Sequence, residues 1–299
     1  MAANWRPSTG RREMGRVVVV GSLNDDLVLR TPALPGAGET IRASEGLRTS
    51  GGKGGNQAIA ARRYGADTCF VGAVGGDPIS RRMQNDLARE GVDISALAVI
   101  AGAQPGTAVV TVDSLGENHI VISPGANDLV DGPFVQARLD ALAPSTADVV
   151  VTGFEIPISG SMTALSRGRR AGSELILNPS PVEGFAREIL QLQPIVVCNR
   201  HEATQIAGIV DAEHAARHLA SLTDRDVIIT LGGEGTLAIL DGETHRFAAS
   251  KVAVVDTTGA GDVFCGTFAA ARARGYDMTC SIVSASEAAS LSVTRRGAR

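Results

Sequence analysis

The sequence predicts an α/β fold, in which a doubly wound, mostly parallel sheet is flanked by helices and carries a small antiparallel β lid. Three observations support this class. Short β-branched runs such as residues 17–20 are typical of strands buried on both faces. These runs alternate with stretches of helical periodicity, which indicates parallel βαβ units. Two helix-poor segments interrupt the alternation and predict the lid.

The elements of the main sheet follow from the apolar runs and from the helical stretches between them. The runs predict strands at residues 17–20, 68–71, 148–151, 175–177, 195–198 and 227–230. The helical stretches are residues 56–64, 79–90, 132–142, 159–170, 202–206 and 212–222, and a further helix is expected to begin near Asp262. Glycine and proline punctuate the chain often, as tight turns between many short elements require.

The lid is predicted from residues 39–49 and 107–123, in which polar and apolar residues alternate. A hairpin turn is expected at residues 114–118, around Gly116. We expect residues 17–299 to form one domain, with a discontinuous lid at about residues 38–52 and 106–124. Residues 1–16 contain arginines but no apolar stretch, so we expect a disordered extension or a misassigned start, and not a secretory signal.

The composition argues against several classes of function. The 28 Lys and Arg residues against 32 Asp and Glu residues give a net charge of −4, and only 3% of the residues are aromatic. Neither value favours nucleic-acid binding. No apolar run approaches the ~20 residues that a membrane span needs, so we expect no membrane partner. The four cysteines form no C-x-x-C pair, which predicts reduced thiols in a cytoplasmic protein.

Common nucleotide-binding motifs are missing from the sequence. Gly21, after the first strand, is followed by SLNDD and not by the G-x-G-x-x-G of dinucleotide-binding proteins. Lys53 in SGGKGGN does not fit a P-loop either, because Gly54 stands where Ser or Thr would bind magnesium. Any nucleotide must therefore be bound in another way.

The segment that indicates a reaction most directly is residues 255–268, VDTTGAGDVFCGTF. A β-run ends at Asp256, a glycine-rich turn follows, and a helix begins near Asp262. Backbone N–H groups of Gly259, Ala260 and Gly261 at that helix N-terminus would form an anion site. Asp262 beside it suits a base that removes a proton from an attacking hydroxyl during phosphoryl transfer. The alternative is an ordinary helix cap with a glycine turn.

A second glycine-rich segment, SGGKGGNQAIAARRYGADTCFVGAVGGD, places Lys53 and Asn56 at the mouth of a helix. Together with GSLNDDLV near the start and GFEIP at residues 153–157, the chain resembles the ribokinase family of sugar and nucleoside kinases, the PfkB carbohydrate kinases. The resemblance covers residues from about 17 to 298, and the motifs occur in the order of the family.

The resemblance implies a set of functional residues. The sugar ligands are implied to be Asn24, Asp26, Gly52, Lys53, Asn56 and Glu155, with Asp262 as the base. The nucleotide ligands are implied to be Asn199, Glu202, Thr230, Gly232, Gly235, Gly261 and Ser286, of which Asn199 and Glu202 organise Mg²⁺ indirectly. A monovalent cation is implied at Asp256, Thr258, Ser292, Arg295 and Gly297. Structural alternatives are turn formers at Asn24 and Asp26, a solvated Lys53, and a capping box at Asn199 and Glu202.

Two departures from the family pattern affect the expected site. The chain ends at Arg299, where family members continue with a loop and a last helix that supply another cation ligand. We therefore expect only weak activation by potassium. Ser286, followed by the charged Glu287, stands where the family commonly has Asn or His near the adenine, so we expect adenine binding to be altered.

By resemblance, the expected function is ATP-dependent phosphorylation of a small sugar. The acceptor we expect is D-ribose at its 5-hydroxyl, with Mg²⁺ and K⁺ assisting, and the lid is expected to join two subunits into a homodimer. Another sugar or a nucleoside is the alternative acceptor. A sugar-binding protein without catalysis is the alternative of another class.

Overall fold

The computed structural model describes residues 14–115, 118–295 and 297. These residues form thirteen strands: β1 (Arg16–Val20), β2 (Asn24–Arg30), β3 (Glu45–Gly51), β4 (Asp67–Gly75), β5 (Leu97–Ile100), β6 (Gly106–Val112), β7 (Asn118–Ser123), β8 (Val149–Gly153), β9 (Glu174–Asn178), β10 (Ile195–Asn199), β11 (Val227–Thr230), β12 (Thr236–Leu240) and β13 (Glu243–Phe247). The α-helices of the same ranges are α1 (Lys53–Arg63), α2 (Pro78–Arg89), α3 (Gly132–Leu142), α4 (Ile158–Ala171), α5 (Arg200–Ala207), α6 (Ala212–Thr223), α7 (Ala260–Ala273) and α8 (Met278–Ser292).

The predicted doubly wound α/β fold is confirmed. The large sheet has nine strands in the order β13-β12-β11-β10-β9-β8-β1-β4-β5. The strands from β11 to β5 run parallel, and β12 and β13 are antiparallel at one edge. From β1 the chain first adds β4 and β5 on one side of the sheet and later adds β8 to β13 on the other side. The direction in which strands are added therefore reverses between β1 and β8. Ligands of such sheets bind in the crevice at the carboxyl ends of the strands beside this reversal.

Alternating residues of β1 explain why the sheet is covered on both faces. Val17 and Val19 belong to an apolar cluster that includes side chains of α1, α2, α7 and α8, whereas Val18 and Val20 belong to a second cluster with side chains of α3, α4, α5 and α6. All four valines are fully buried. A continuous apolar strand between two helical layers is the arrangement that the sequence predicted.

The lid is a separate sheet of four strands in the order β3-β2-β6-β7. Its central pair, β2 and β6, is parallel, and the two outer pairs are antiparallel. The lid therefore includes β2, which the sequence analysis left out, and β3 occupies only the last part of the first predicted segment. The predicted hairpin joins β6 to β7, but Gly116 at its tip lies outside the described residues.

Several boundaries differ from those that the sequence predicted. Arg16, assigned to the extension, opens β1, and its guanidinium pairs with Asp148; the rest of the predicted extension up to residue 13 lies outside the described residues. The β-run predicted to end at Asp256 is not a strand. The N–H groups of Val255 and Asp256 both donate to the carbonyl of Val293, next to α8, and so do not join a sheet.

Strands β5, β12 and β13 and helix α8 were not predicted. Within the described ranges, no helix has both the length and the hydropathy needed to cross a membrane.

Candidate active site

Asp262 lies in the first turn of α7 and is buried. Gly259 caps that helix with a φ of 74°, a left-handed conformation that glycine adopts without strain. One carboxylate oxygen of Asp262 accepts a hydrogen bond from the Asn56 amide at 2.9 Å, and the other accepts one from the Gln57 amide at 3.3 Å. The predicted base is thus held by two neighbouring side chains of α1.

Close packing between α1 and α7 brings these side chains together. At Gly266 of α7, an added Cβ would lie 2.2 Å from the carbonyl oxygen of Gln57. Only glycine permits the two helices to approach this far. The approach aligns the first turn of α1 with the first turn of α7, where Asp262 lies.

Lys53 and Glu155 meet at the reversal between β1 and β8. The backbone N–H of Lys53 donates to the Glu155 carboxylate at 2.9 Å, and the Ser22 hydroxyl donates to the same oxygen at 2.5 Å. Ser22 follows β1, and Glu155 follows β8. The predicted glutamate is therefore fixed by the start of α1 and by the end of the first strand.

The charges at this point perturb one another. Burial raises the pKa of Asp262, and the Glu155 charge adds to this effect, whereas Lys53 and the Asn56 and Gln57 amides oppose it. Burial would lower the pKa of Lys53, but the charges of Asp262, Glu155 and Glu202 outweigh it and hold that pKa above its usual value. A cationic lysine facing three carboxylates, one of which is reluctant to ionise, is typical of catalytic clefts.

The lid supplies two more of the predicted sugar ligands, whereas Gly52 caps α1. Asn24 on β2 is buried, and its amide oxygen accepts a hydrogen bond from Asn127 at 2.7 Å. Asp26, also on β2, is half-buried and lies over Gly51, where an added Cβ would be 1.8 Å from its carboxylate. Asn24 and Asp26 are therefore strand residues and not the turn formers considered as an alternative.

A cleft of about 160 Å³ lies between the glycine-rich turn before α7, residues 256–261, and the ends of the central strands. It is lined by Lys53, Asn178, Val197, Cys198, Asn199, Glu202, Thr230, Gly259, Gly261 and Asp262. Residues predicted for the sugar, the base and the nucleotide thus border one space. Asn199 and Glu202 form the capping box of α5, with reciprocal bonds of 2.8 and 2.9 Å.

The remaining nucleotide candidates, Gly232, Gly235 and Ser286, do not line this cleft. Gly232 and Gly235 belong to the tight loop between β11 and β12, and both have positive φ. Ser286 lies on α8, where its hydroxyl is 3.3 Å from that of Thr236 on β12. The loop and α8 are therefore joined at one end of the sheet.

The predicted cation ligands come together from two segments. The Asp256 carboxylate accepts from the N–H of Thr258 and from that of Gly297, each at 2.9 Å. Burial would raise the pKa of Asp256, but these donors and the Arg30 charge outweigh it, so the pKa lies below its usual value. Ser292 and Arg295 are in the same turn, where the N–H of Arg295 donates to the carbonyl of Ser292.

Sequence reasoning missed several polar residues of the site. Gln57 and Asn178 are buried behind Asp262, and Asn127 is buried behind Asn24. Gln57 directly follows Asn56 in the glycine-rich motif, which could have indicated it. Asn178 and Asn127 have no local pattern and are identified only by their contacts.

Comparison with known proteins agrees with this geometry. The model of the pfkB family of carbohydrate kinases matches residues 14–299. The chain belongs to this family. The ribokinase of Schizosaccharomyces pombe is 35% identical, and the match covers 95% of this carbohydrate kinase and 94% of that protein. The ribokinase of Staphylococcus aureus is 34% identical, and the match covers 95% of each of the two proteins.

Solved structures give the same result for the fold. The ribokinase of Thermotoga maritima superposes on this carbohydrate kinase with a TM-score of 0.85, at 32% identity over 95% of this chain and 94% of that one. The Arabidopsis thaliana ribokinase, solved with ribose and ATP, gives a TM-score of 0.83 at 30% identity. The match covers 95% of this chain and 94% of that one. Fold and family thus agree with the expectation from sequence.

Proposed function

We propose that this carbohydrate kinase transfers the γ-phosphoryl group of ATP to the 5-hydroxyl of D-ribose, giving ribose 5-phosphate and ADP. The observation that carries the proposal is the buried Asp262 carboxylate at the N-terminus of α7, in one cleft with Lys53, Glu202 and the glycine loop. The ribokinase relatives and the Arabidopsis structure with ribose and ATP support this acceptor and this donor.

The proposed reaction uses Asp262 as the general base. The 5-oxygen of the sugar attacks the γ-phosphorus while its proton passes to the Asp262 carboxylate. The bond from the γ-phosphorus to the bridging oxygen breaks, and ADP leaves with that electron pair. Backbone N–H groups of Gly259, Ala260 and Gly261 stabilise the charge that develops on the transferred group.

The sugar is proposed to lie between the lid and the start of α1. Its hydroxyl groups would bind Asn24, Asp26, Gly52, Lys53, Asn56 and Glu155. This set suits a polyol because carboxylates accept hydrogen bonds, an ammonium group donates them, and amides do both. Closure of the lid over the sugar would exclude water and so suppress hydrolysis of ATP.

The nucleotide is proposed to bind along Thr230, Gly232, Gly235, Gly261 and Ser286. Among the described residues, no group of three or more His, Cys, Asp and Glu could hold a metal ion. Magnesium would therefore come with the phosphates of ATP, and the oxygens of Asn199 and Glu202 fit such a partly hydrated ion. Magnesium bound there would neutralise phosphate charge during transfer.

A monovalent cation, potassium, is proposed beside the anion site. The Asp256 carboxylate and the oxygens of Thr258, Ser292, Arg295 and Gly297 are the hard ligands that such an ion takes. The low pKa of Asp256 keeps this group ionised at neutral pH. The initial rate against KCl, at constant ionic strength with choline as the replacement, tests this site.

A homodimer formed through the lid is also proposed, in the cytoplasm. The outer lid strands expose apolar side chains, with Leu47 51%, Ile120 55% and Ile122 49% accessible. Exposed strand edges with such side chains need a partner. Sedimentation equilibrium should give twice the chain mass, and Ile120→Lys should return a monomer.

The experiment that tests the acceptor is ADP release with ATP and magnesium against a panel of pentoses, hexoses and nucleosides. D-ribose should give the highest kcat/KM, and phosphorus NMR of the product should place the phosphate on C5. A preference for a hexose or a nucleoside would overturn the proposed acceptor. Sugar binding without turnover of any acceptor would overturn the proposed catalysis.

A further inference from the structure

A chain of buried amide groups lies behind Asp262, and no step of the proposed reaction uses it. The Gln57 amide nitrogen donates to Asp262 at 3.3 Å and to the Asn178 amide oxygen at 3.0 Å. The Asn178 amide nitrogen donates to the carbonyl oxygen of Val197 at 2.9 Å. The chain thus begins on β10, crosses the end of β9 and reaches α7 through α1.

The direction of these hydrogen bonds is determined by the carbonyl of Val197. A backbone carbonyl only accepts, so Asn178 must turn its NH₂ group toward Val197 and its oxygen toward Gln57. Gln57 must then present its own NH₂ group to Asn178. The second hydrogen of that NH₂ group points to Asp262. A main-chain atom of the large sheet therefore decides that Asp262 meets a donor and not an acceptor.

The arrangement suits a carboxylate that must keep one orientation. Asn56 and Gln57 hold different oxygens of Asp262, so rotation of the carboxylate would break both hydrogen bonds. Gln57 is 2% exposed and Asn178 is 8% exposed, so water does not readily replace either partner. Buried amide pairs of this kind are costly when they are only partly satisfied.

We propose that Gln57 and Asn178 form a positioning relay that holds the Asp262 carboxylate in its reactive orientation by presenting an amide hydrogen to it. The inference rests on the proposed function of Asp262 as the base. Both are positioning residues: Gln57 acts on the reaction through Asp262, and Asn178, which also lines the cleft, acts on Asp262 through Gln57.

The relay predicts a change in the titration of Asp262. A hydrogen-bond donor stabilises the ionised form of Asp262, so loss of the donor raises its pKa. As the pH falls, the base is then protonated and inactivated at a higher pH than in the original protein. The ionisable groups around Asp262 are Lys53 on α1, Glu155 after β8, Glu202 on α5 and Cys265 on α7. Because two further carboxylates lie close to it, Asp262 must be observed directly.

The experiment follows the Asp262 carboxyl carbon by NMR in protein labelled with ¹³C at the aspartate side chains. The resonance that disappears in Asp262→Asn belongs to this group. Gln57→Met removes the donor at similar volume, and we expect the pKa of Asp262 to rise by about one unit. The acidic limb of the kcat profile should move upward by the same amount. Asn178→Leu should shift both in the same direction by less.

Two further variants keep the test decisive. Gln57→Glu preserves the shape of the side chain if Gln57→Met fails to fold, and it should raise the pKa of Asp262 more strongly. Thr223→Val is the matched control, because it removes a buried hydrogen bond to Pro194 far from the site and should leave both readouts unchanged.

An unchanged Asp262 titration in the folded Gln57 variants would overturn the relay, as would an equal shift in Thr223→Val. Substantial turnover by Asp262→Asn would instead overturn the proposed base, and the NMR titration would still decide whether the relay exists. The two failures are therefore distinguishable.

Discussion

The large sheet and the lid hold their polar site residues in different ways. On the large-sheet side, Asp262, Asn56 and Gln57 are buried, and the side-chain amides of Asn56 and Gln57 both donate directly to the Asp262 carboxylate. On the lid, Asp26 is half-buried and is placed by the pairing of β2 with β3 and β6. Both oxygens of Asp262 are thus held by side chains of a neighbouring helix, whereas the position of Asp26 follows from the pairing of its strand.

This difference matches what each half is proposed to do. Proton abstraction requires atomic placement to within a fraction of an ångström, which interlocked side chains on packed helices provide. A lid must bind the sugar and also move, so its ligands belong on a sheet that shifts as one body. Mutations in the two halves should therefore affect different kinetic constants.

Asp262→Asn should have the largest effect and should change kcat alone. The amide preserves the shape of the side chain but takes no proton, and general-base assistance contributes roughly 10²–10⁴-fold. Sugar binding, measured by calorimetry, should remain largely intact. Asp128→Asn, a substitution of an exposed aspartate, serves as the control. A variant that keeps half of the original kcat would remove Asp262 from the mechanism.

Asp26→Ala should act on the sugar KM instead. Loss of one charged hydrogen-bond partner costs about 1.5–3 kcal/mol, so the sugar KM should rise roughly ten- to a hundredfold. The KM for ATP should barely change, because no described residue of the lid strands lines the cleft beside Asp262. If ATP affinity collapsed while sugar affinity survived, the assignment of the two halves would be reversed.

A third change tests the connection between the halves. Asp25 on β2 is 1% exposed and pairs with Arg48 of the lid, at 3.2 Å, and with Arg82 of α2. Ser50 of β3 also donates to Asp86 of α2, at 2.6 Å. These contacts fasten the lid to the large-sheet side and lie on β2 and β3 beside the proposed sugar ligands.

Arg82→Ala should therefore loosen the lid without touching the catalytic residues. In this variant Asp25 keeps its ion pair with Arg48, and the lost partner Arg82 is 36% exposed. We therefore expect the free energy of unfolding, measured with urea, to fall by only about 1.5 kcal/mol. The sugar KM should rise several-fold at constant kcat. Arg81→Ala, on the neighbouring exposed position, is the control. A fall in kcat with an unchanged KM would contradict the separation of the two halves.

The two halves also differ in how far the sequence predicts them. Six neighbouring strands of the large sheet, from β11 to β4, were found because β-branched runs such as β1 and β11 need only a local pattern, whereas β5, β12 and β13 were missed. Strand β2 was missed because Asn24, Asp25 and Asp26 favour a turn by composition, and only distant partners such as Arg82 make a buried Asp25 possible. Likewise, Gln57 and Asn178 are 121 positions apart, and nothing local indicates that they meet.

The smallest predicted effect concerns the large sheet at the end away from the site. Asp148 accepts hydrogen bonds from Arg16 and from the N–H of Ser145. Burial would raise the pKa of Asp148, but these donors outweigh it and lower that pKa below its ordinary value. A lowered folded-state pKa gives stability that is present above about pH 3.9, the unfolded value, and is lost as the pH falls through the folded value.

Asp148→Asn should remove about 1 kcal/mol from the free energy of unfolding at pH 7, since Arg16 is 39% exposed and solvent screens the pair. At a pH below the folded pKa, the variant and the original protein should be equally stable, because Asp148 is then neutral in both states. Urea unfolding across this range measures the difference. Both kcat and the sugar KM should be unchanged. Asp148 lies at the strand ends remote from the site, so it holds neither the base nor the sugar ligands in place. A pH-independent loss would mean that packing, and not charge, is what Asp148 contributes.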